Sequence, residues 1–221
     1  MHAATYAAWP RRAQGPPRTQ ATAARQKHAV NPVPCVNVAL LAACPGAAHG
    51  FFGRHGGASA APLDSLNISS RVGDSRAAVQ ENRLRLRRAA GLEAARFLSL
   101  SQVHGRNIVQ VGGETFAAIE ADGVWTRAPQ LALCIQTADC VPLLFADVQG
   151  ELVAAAHAGW RGTQAQIGAA MVERLAAAAV APSRLRVALG PAIGPCCFLI
   201  GHDVAQALRG SVAGGDAYVQ P

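Results

Sequence analysis

The sequence predicts an α+β (α/β) fold with a mixed sheet in a single domain. Short apolar runs bounded by turn residues recur through its second half, several of them adjoin with no helix between, and two helical periodicities flank them. With 221 residues, 51% of them hydrophobic, the chain can bury one real core.

From His49 onward the elements follow in order. "HGFF" reads as a short strand and "GRHGGASAAP" as a glycine-rich loop. "GDSRAAVQENRLRLRRAAG" carries a cap at Asp74 or Ser75, a charged face and a closing Gly91, and so predicts a helix. "RNIVQV" (106–111), "LALCIQ" (131–136), "VPLLFAD" (141–147) and "ELVAAAH" (151–157) predict strands of a largely buried sheet. Thr163 and Gln166 have the spacing of a capping box, and Ile167, Met171 and Leu175 recur at helical spacing until Pro182. "RLRVALG" returns as a strand into the loop "GPAIGPCC".

Residues 1–34 precede this pattern as an Arg/Pro-rich leader, which reads as disordered; residues 35–221 form the domain. Acid-free composition also suits an organellar transit peptide, and the Arg and Ala bias suits a leader added by an upstream start in a GC-rich genome. "VPCVNVALLAAC" reads as a helix or loop, although "LAAC" resembles a lipoprotein cleavage site. It falls short of the run of about 18 apolar residues that a membrane span needs.

Six of the seven net charges lie in residues 1–63, because Asp64 is the first acidic residue and the chain beyond residue 63 holds 14 basic against 13 acidic residues. A nucleic-acid footprint is therefore not expected. Six cysteines without a C-x-x-C pair point to a reducing, cytoplasmic compartment.

Three chemistry-bearing residues stand at strand edges: His104 before Gly105, Cys140 in the turn "TADC", and His157 before "AGWRG". Two imidazoles and a thiolate would give zinc three ligands and leave a fourth position open. The same set without metal offers a nucleophile, Cys140, with His104 or His157 as its base. Taken singly, Cys140 also reads as a buried core thiol and each His as a satisfied structural residue. Asp139 could orient a ligand His, accept a proton or simply cap its turn. In "HAGWRGT", Arg161, Gly162 and Thr163 form a turn into a helix that could hold an anion such as phosphate, or be an ordinary turn. Arg54 lies in the glycine-rich loop, where the backbone could approach a ligand. Cys196 and Cys197, being adjacent, read as structural.

"HGFFGRHGGAS", "SLN", "GD", "ENR", "SQVHG", "TADCVPLL", "AHAGWRG" and "GPAIGPCCF" occur in the order found in the laccase-domain (YfiH-type) proteins, which the chain resembles from about His49 to about Gly201. The resemblance implies an α/β/β/α sandwich with mixed sheets and a cytoplasmic zinc enzyme, monomeric or homodimeric. Such an enzyme cleaves adenosine, inosine, guanosine and methylthioadenosine with phosphate and also deaminates adenosine. It places the metal on His104, Cys140 and His157. The fold is shared with a bacterial toxin's cysteine hydrolase domain, which keeps an amide hydrolase in view. Some bacterial relatives have been described as peptidoglycan-precursor editing enzymes, and an older family label is copper-dependent polyphenol oxidase. Paired H-x-H motifs are absent and the methionines are Met1 and Met171, which does not suit a multicopper or blue-copper site, though copper binding to the same three ligands is possible. Family members usually continue with a "CT" pair and an aromatic-Ser-x-Arg-Arg stretch that is not found here, so an inactive relative is a further expectation. The family's Tyr after the Cys pair is Phe198.

Overall fold

The central strands are apolar on both faces because both faces are covered. A computed structural model describes residues 3–8, 32–112 and 119–219. In it two five-stranded sheets stack face to face, each with a helix on its outer side.

The first sheet has the order β2 (Cys35–Val36), β3 (Ala48–Phe52), β1 (Ala3–Ala8), β7 (Leu131–Thr137) and β4 (Arg96–Ser99). The second has the order β10 (Leu185–Leu189), β8 (Val141–Asp147), β9 (Val153–Ala158), β6 (Gly123–Thr126) and β5 (Ile108–Gln110). Pairing is antiparallel except β4 with β7 and β5 with β6, so each sheet is mixed.

Side-chain alternation assigns the layers. Leu131, Leu133 and Ile135 of β7 meet Leu144 of β8 and Val153 and Ala155 of β9 between the sheets. Ala132 and Cys134 point outward to Leu86 of α2 (Arg76–Ala89). Phe145, Ala154 and Ala156 point the other way, to Ile167, Met171 and Leu175 of α4 (Ile167–Ala177). The α/β/β/α sandwich expected from the family is the fold observed. No helix among the described residues is long and apolar enough to cross a membrane.

Of the two candidate caps, Ser75 takes the role, accepting from the Ala78 N–H at 3.1 Å, while Asp74 accepts from Ser59 and Asn67; Gly91 leaves the helix at φ +65°. The capping box at Thr163 and Gln166 does not form. Gln166 takes the left-handed conformation (φ 58°) and its side chain caps nothing, so the expected single helix is split into α3 (Trp160–Gln164) and α4. "RNIVQV" and "ELVAAAH" shorten to β5 and β9. "VPCVNVALLAAC" is divided between β2 and α1 (Ala39–Ala42). Within residues 1–34, Ala3–Ala8 is paired into the sheet as β1, so disorder does not describe those six residues; residues 9–31 lie outside the described ones.

Two buried polar groups fix the loops on the first sheet. Asn82 accepts from the Ala58 N–H at 2.6 Å and donates to Ser59 Oγ, Ser65 O and Asn67 O, which ties α2 to the glycine-rich loop. His49 accepts from the Val38 N–H through Nε2 at 2.8 Å, which needs a neutral ring, and burial pushes its pKa down. Its pKa is lower folded than unfolded, so below about pH 6.5 the unfolded chain binds a proton that the folded one refuses, and stability falls as pH drops. Metal-free His49→Gln, which retains an acceptor but cannot titrate, should lose less stability than wild type between about pH 6.5 and 5. Parallel urea-midpoint curves for the two proteins would show that His49 carries none of this dependence.

Candidate metal centre and its cleft

The second sheet brings two of the three edge residues together by register alone. Cys140 immediately precedes β8, His157 is next to last in β9, and these strands are antiparallel neighbours with Pro142 opposite His157 and Val141 opposite Ala158. The third, His104, arrives on the loop between β4 and β5 in a left-handed conformation (φ 60°). An imidazole holding that backbone is an unusual cost, met here by hydrogen bonds.

Those hydrogen bonds converge on Asp122, a residue the sequence did not mark. Its carboxylate is fully buried and accepts from the N–H groups of Val103 (3.2 Å), His104 (2.9 Å) and Gly105 (2.7 Å) and from His157 Nδ1 (2.8 Å). Its carbonyl accepts from the His157 N–H at 2.7 Å. One carboxylate thus shapes the His104 loop and fixes the His157 tautomer, leaving Nε2 to face the cluster.

The donor atoms of His104, Cys140 and His157 all lie within 4.8 Å of one another, and among the described residues this is the one group of three or more His, Cys, Asp or Glu side chains so placed. The two imidazoles meet edge to face with centroids 4.7 Å apart. Two nitrogens and a soft sulfur, on bonds of about 2.0 to 2.3 Å, suit a tetrahedral ion with one position open. Burial, more than the opposing pull of Asp122, holds the His157 pKa down, so its lone pair is available. Burial, then Asp139 and Asp122, push the Cys140 thiol up; a bound cation would reverse that field.

Gly159 makes the approach possible. A Cβ there would lie 2.9 Å from His104 Cδ2 and 3.2 Å from Cys140 Sγ. Its own backbone is ordinary (φ −70°, ψ 174°), so the requirement is for space alone.

The cluster forms one wall of a cleft of about 560 Å³ that also reaches Ser69, Arg71, Arg83, Ser101 and Thr137. Gln102, which lines the cleft, is not free to read a ligand, since both ends of its amide bind the Gln136 backbone (2.7 and 2.9 Å). Exposed Asp139 lines the cleft beside Cys140, but the carboxylate that contacts an imidazole is Asp122. A second, apolar cavity of about 240 Å³ lies beyond Cys140 and is lined by Thr163, Trp160, Ile193 and Phe198.

The other expected binding residues stand elsewhere. Arg54, Arg161 and Gly162 are not among the residues lining either cavity. The Arg161 guanidinium sits 4.3 Å from the Trp160 ring centroid. Gly162 is buried, with the carbonyls of Gly105 and His157 where a Cβ would press. The carbonyl of Arg54 closes the glycine-rich loop by accepting from Ser65 and Leu66. Cys196 and Cys197 are exposed with their sulfurs 3.0 Å apart, away from the cluster's donor set.

Residues 48–220 match the family model described as multi-copper polyphenol oxidoreductase laccase. The chain belongs to this laccase-domain family. Within the family it is 42% identical over 166 residues to the purine nucleoside phosphorylase of Deinococcus radiodurans, covering 75% of this chain and 64% of that one. It is 42% identical over 154 residues to purine nucleoside phosphorylase YfiH of Escherichia coli, covering 70% and 62%. The crystal structure of the hypothetical protein YfiH from Bacillus licheniformis superposes with a TM-score of 0.70 at 34% identity, covering 77% and 68%. The laccase-domain chain therefore spans a little less than two thirds of the length of these two curated relatives.

Gly159→Ala should lower the cluster's affinity for a metal ion at least about tenfold while leaving the fold intact, because the added methyl displaces two of the candidate ligands and strains no backbone. Zinc titration monitored by calorimetry, alongside thermal denaturation, would check this. Asp122→Asn should also weaken metal binding by about 10- to 100-fold, since the amide cannot accept all the bonds that the carboxylate does.

Proposed function

We propose that the His104, Cys140 and His157 cluster holds a zinc ion and that the cleft beside it cleaves purine nucleosides with phosphate. The observation that carries this reading is a three-donor cluster with one open side, sited in a cleft large enough for a nucleoside and an anion together. Relatives named purine nucleoside phosphorylase supply the substrate class. Adenosine, inosine, guanosine and methylthioadenosine are the proposed substrates, with deamination of adenosine as a second reaction in the same cleft, in a cytoplasmic protein.

A zinc ion held by His104, Cys140 and His157 would supply Lewis-acid polarisation and lower the pKa of water. The chain's own residues do the rest. Asp122 holds the His157 imidazole and the backbone that carries His104. Asp139, exposed in the cleft beside Cys140, is positioned to exchange a proton with the purine or an attacking water. Trp160, stiffened by Arg161, and Phe198 offer flat apolar surface to a purine ring in the smaller cavity. A single three-donor group among the described residues fits one ion and does not supply the several copper centres of a multicopper oxidase.

A Cys/His hydrolase acting on an amide, such as a peptidoglycan precursor, is the second reading. The buried His157–Asp122 pair beside Cys140 favours it, as this is the geometry of a base oriented by a carboxylate. The raised Cys140 thiol weighs on the other side.

Chromatography of adenosine incubated with the protein, with and without phosphate, tests both. Adenine that appears only with phosphate, and falls at least about 100-fold in Cys140→Ala, is the expected outcome. Chelation with removal of zinc should stop the reaction. Unchanged adenosine together with chelator-resistant, alkylation-sensitive cleavage of an amide would transfer the assignment to the hydrolase.

A further inference from the structure

The cleft that holds the metal cluster also carries donors for an oxyanion. Arg71 and Arg83 both line it, and neither forms an ion pair with a carboxylate among the described residues. The one carboxylate on the cleft wall is that of Asp139. Arg83 spends Nε and Nη2 on the Ile68 carbonyl, at 3.1 and 2.9 Å. Arg71 spends only Nη2, on Ser101 Oγ at 2.8 Å, which leaves most of its five donors uncommitted. The same cleft carries the hydroxyls of Ser69 and Thr137, and Thr137 Oγ1, buried with no partner, is a donor awaiting one.

The turn that presents Arg71 is held firmly. Asn67 accepts from the Ser69 N–H and donates to Asp74, Ser69 Oγ accepts from the Arg71 N–H, and buried Asn82 grips the Asn67 carbonyl. At the far side Ser101 lies three residues before His104, so the guanidinium is bonded to the loop that carries a metal ligand.

We infer that Arg71, with Arg83 and the Thr137 hydroxyl beside it, is the seat of inorganic phosphate in this cleft. The inference rests on the phosphorolysis proposed above for its chemical role. There, an oxygen of hydrogen phosphate bonds to the ribose C1′ as the C1′–N9 bond breaks. The bonding pair leaves with the purine, and the phosphate's proton ends on the base. A planar guanidinium offers paired N–H donors to such a dianion. This assigns the phosphate to the turn before α2 and not to Arg161.

Calorimetric titration of the zinc-loaded protein with inorganic phosphate is the test, on wild type, Arg71→Ala, Arg71→Lys and Arg161→Ala. Arg71 is exposed and its side chain hydrogen-bonds Ser101 alone among the described residues, so the variants should fold, which thermal denaturation and zinc content check. Arg71→Ala should weaken phosphate binding at least about tenfold, the cost of a charge-assisted hydrogen bond, with Arg71→Lys intermediate and Arg161→Ala unchanged. In turnover, the KM for phosphate should rise by a similar factor while the KM for the nucleoside stays within about twofold. Phosphate that binds Arg71→Ala as well as wild type, or fails to bind wild type, or is lost in Arg161→Ala instead, overturns the assignment. If wild type binds phosphate through Arg71 but releases no purine, the anion seat stands and the phosphorylase reading falls.

Discussion

Everything chemical in this fold hangs on the buried carboxylate of Asp122. It accepts three consecutive backbone N–H groups from residues 103–105 and the Nδ1–H of His157, so the His157 ring and the His104 loop have one common anchor. A fully buried carboxylate is tolerated only when its lone pairs are met, and here four donors meet them. The same bonds hold His104 at positive φ. Removing the acceptor would strand several donors at once, freeing the His157 ring and the loop that carries His104.

The strand-edge placement of His104, Cys140 and His157 was legible because apolar runs ending in a turn fix where a chain leaves a sheet. Register then brings Cys140 within two residues of Pro142, the residue opposite His157, on neighbouring antiparallel strands. Asp122 was not legible. It sits in "EADGVW", 35 residues before His157, and only the β6–β9 pairing, which no local pattern announces, sets it opposite that residue. Arg71 was hidden for a similar reason, in a turn whose shape depends on Asn67, Asp74 and Asn82 meeting across the loop.

The four-layer architecture was legible from its apolar runs, but not the break at Gln166. Thr-x-x-Gln before an apolar repeat matches a capping box, yet the chain bends one step later, because Trp160–Gln164 has already begun a helix straight off the end of β9. Space imposed that early start. Gly159 must pass between His104 and Cys140, and Gly162 must pack on the Gly105 and His157 carbonyls, so the first helical turn is drawn tight against the cluster. Propensity yields to that packing.

The cleft divides its chemistry between two groups of residues that serve different charges. The His/Cys/His group belongs to the edge where β8 and β9 meet the His104 loop, and suits a soft cation; the rest of the lining includes the turn before α2 and the end of β7, and carries guanidinium and hydroxyl donors without an ion-paired carboxylate among the described residues. A cation site and an anion site in one cleft do not attract a ligand of a single charge sign. They select one that presents a donor to the metal side and an oxyanion to the other, or two ligands that do so between them. Rigidity of both groups, through Asp122 for one and Asn82 for the other, keeps that spacing fixed before any ligand arrives.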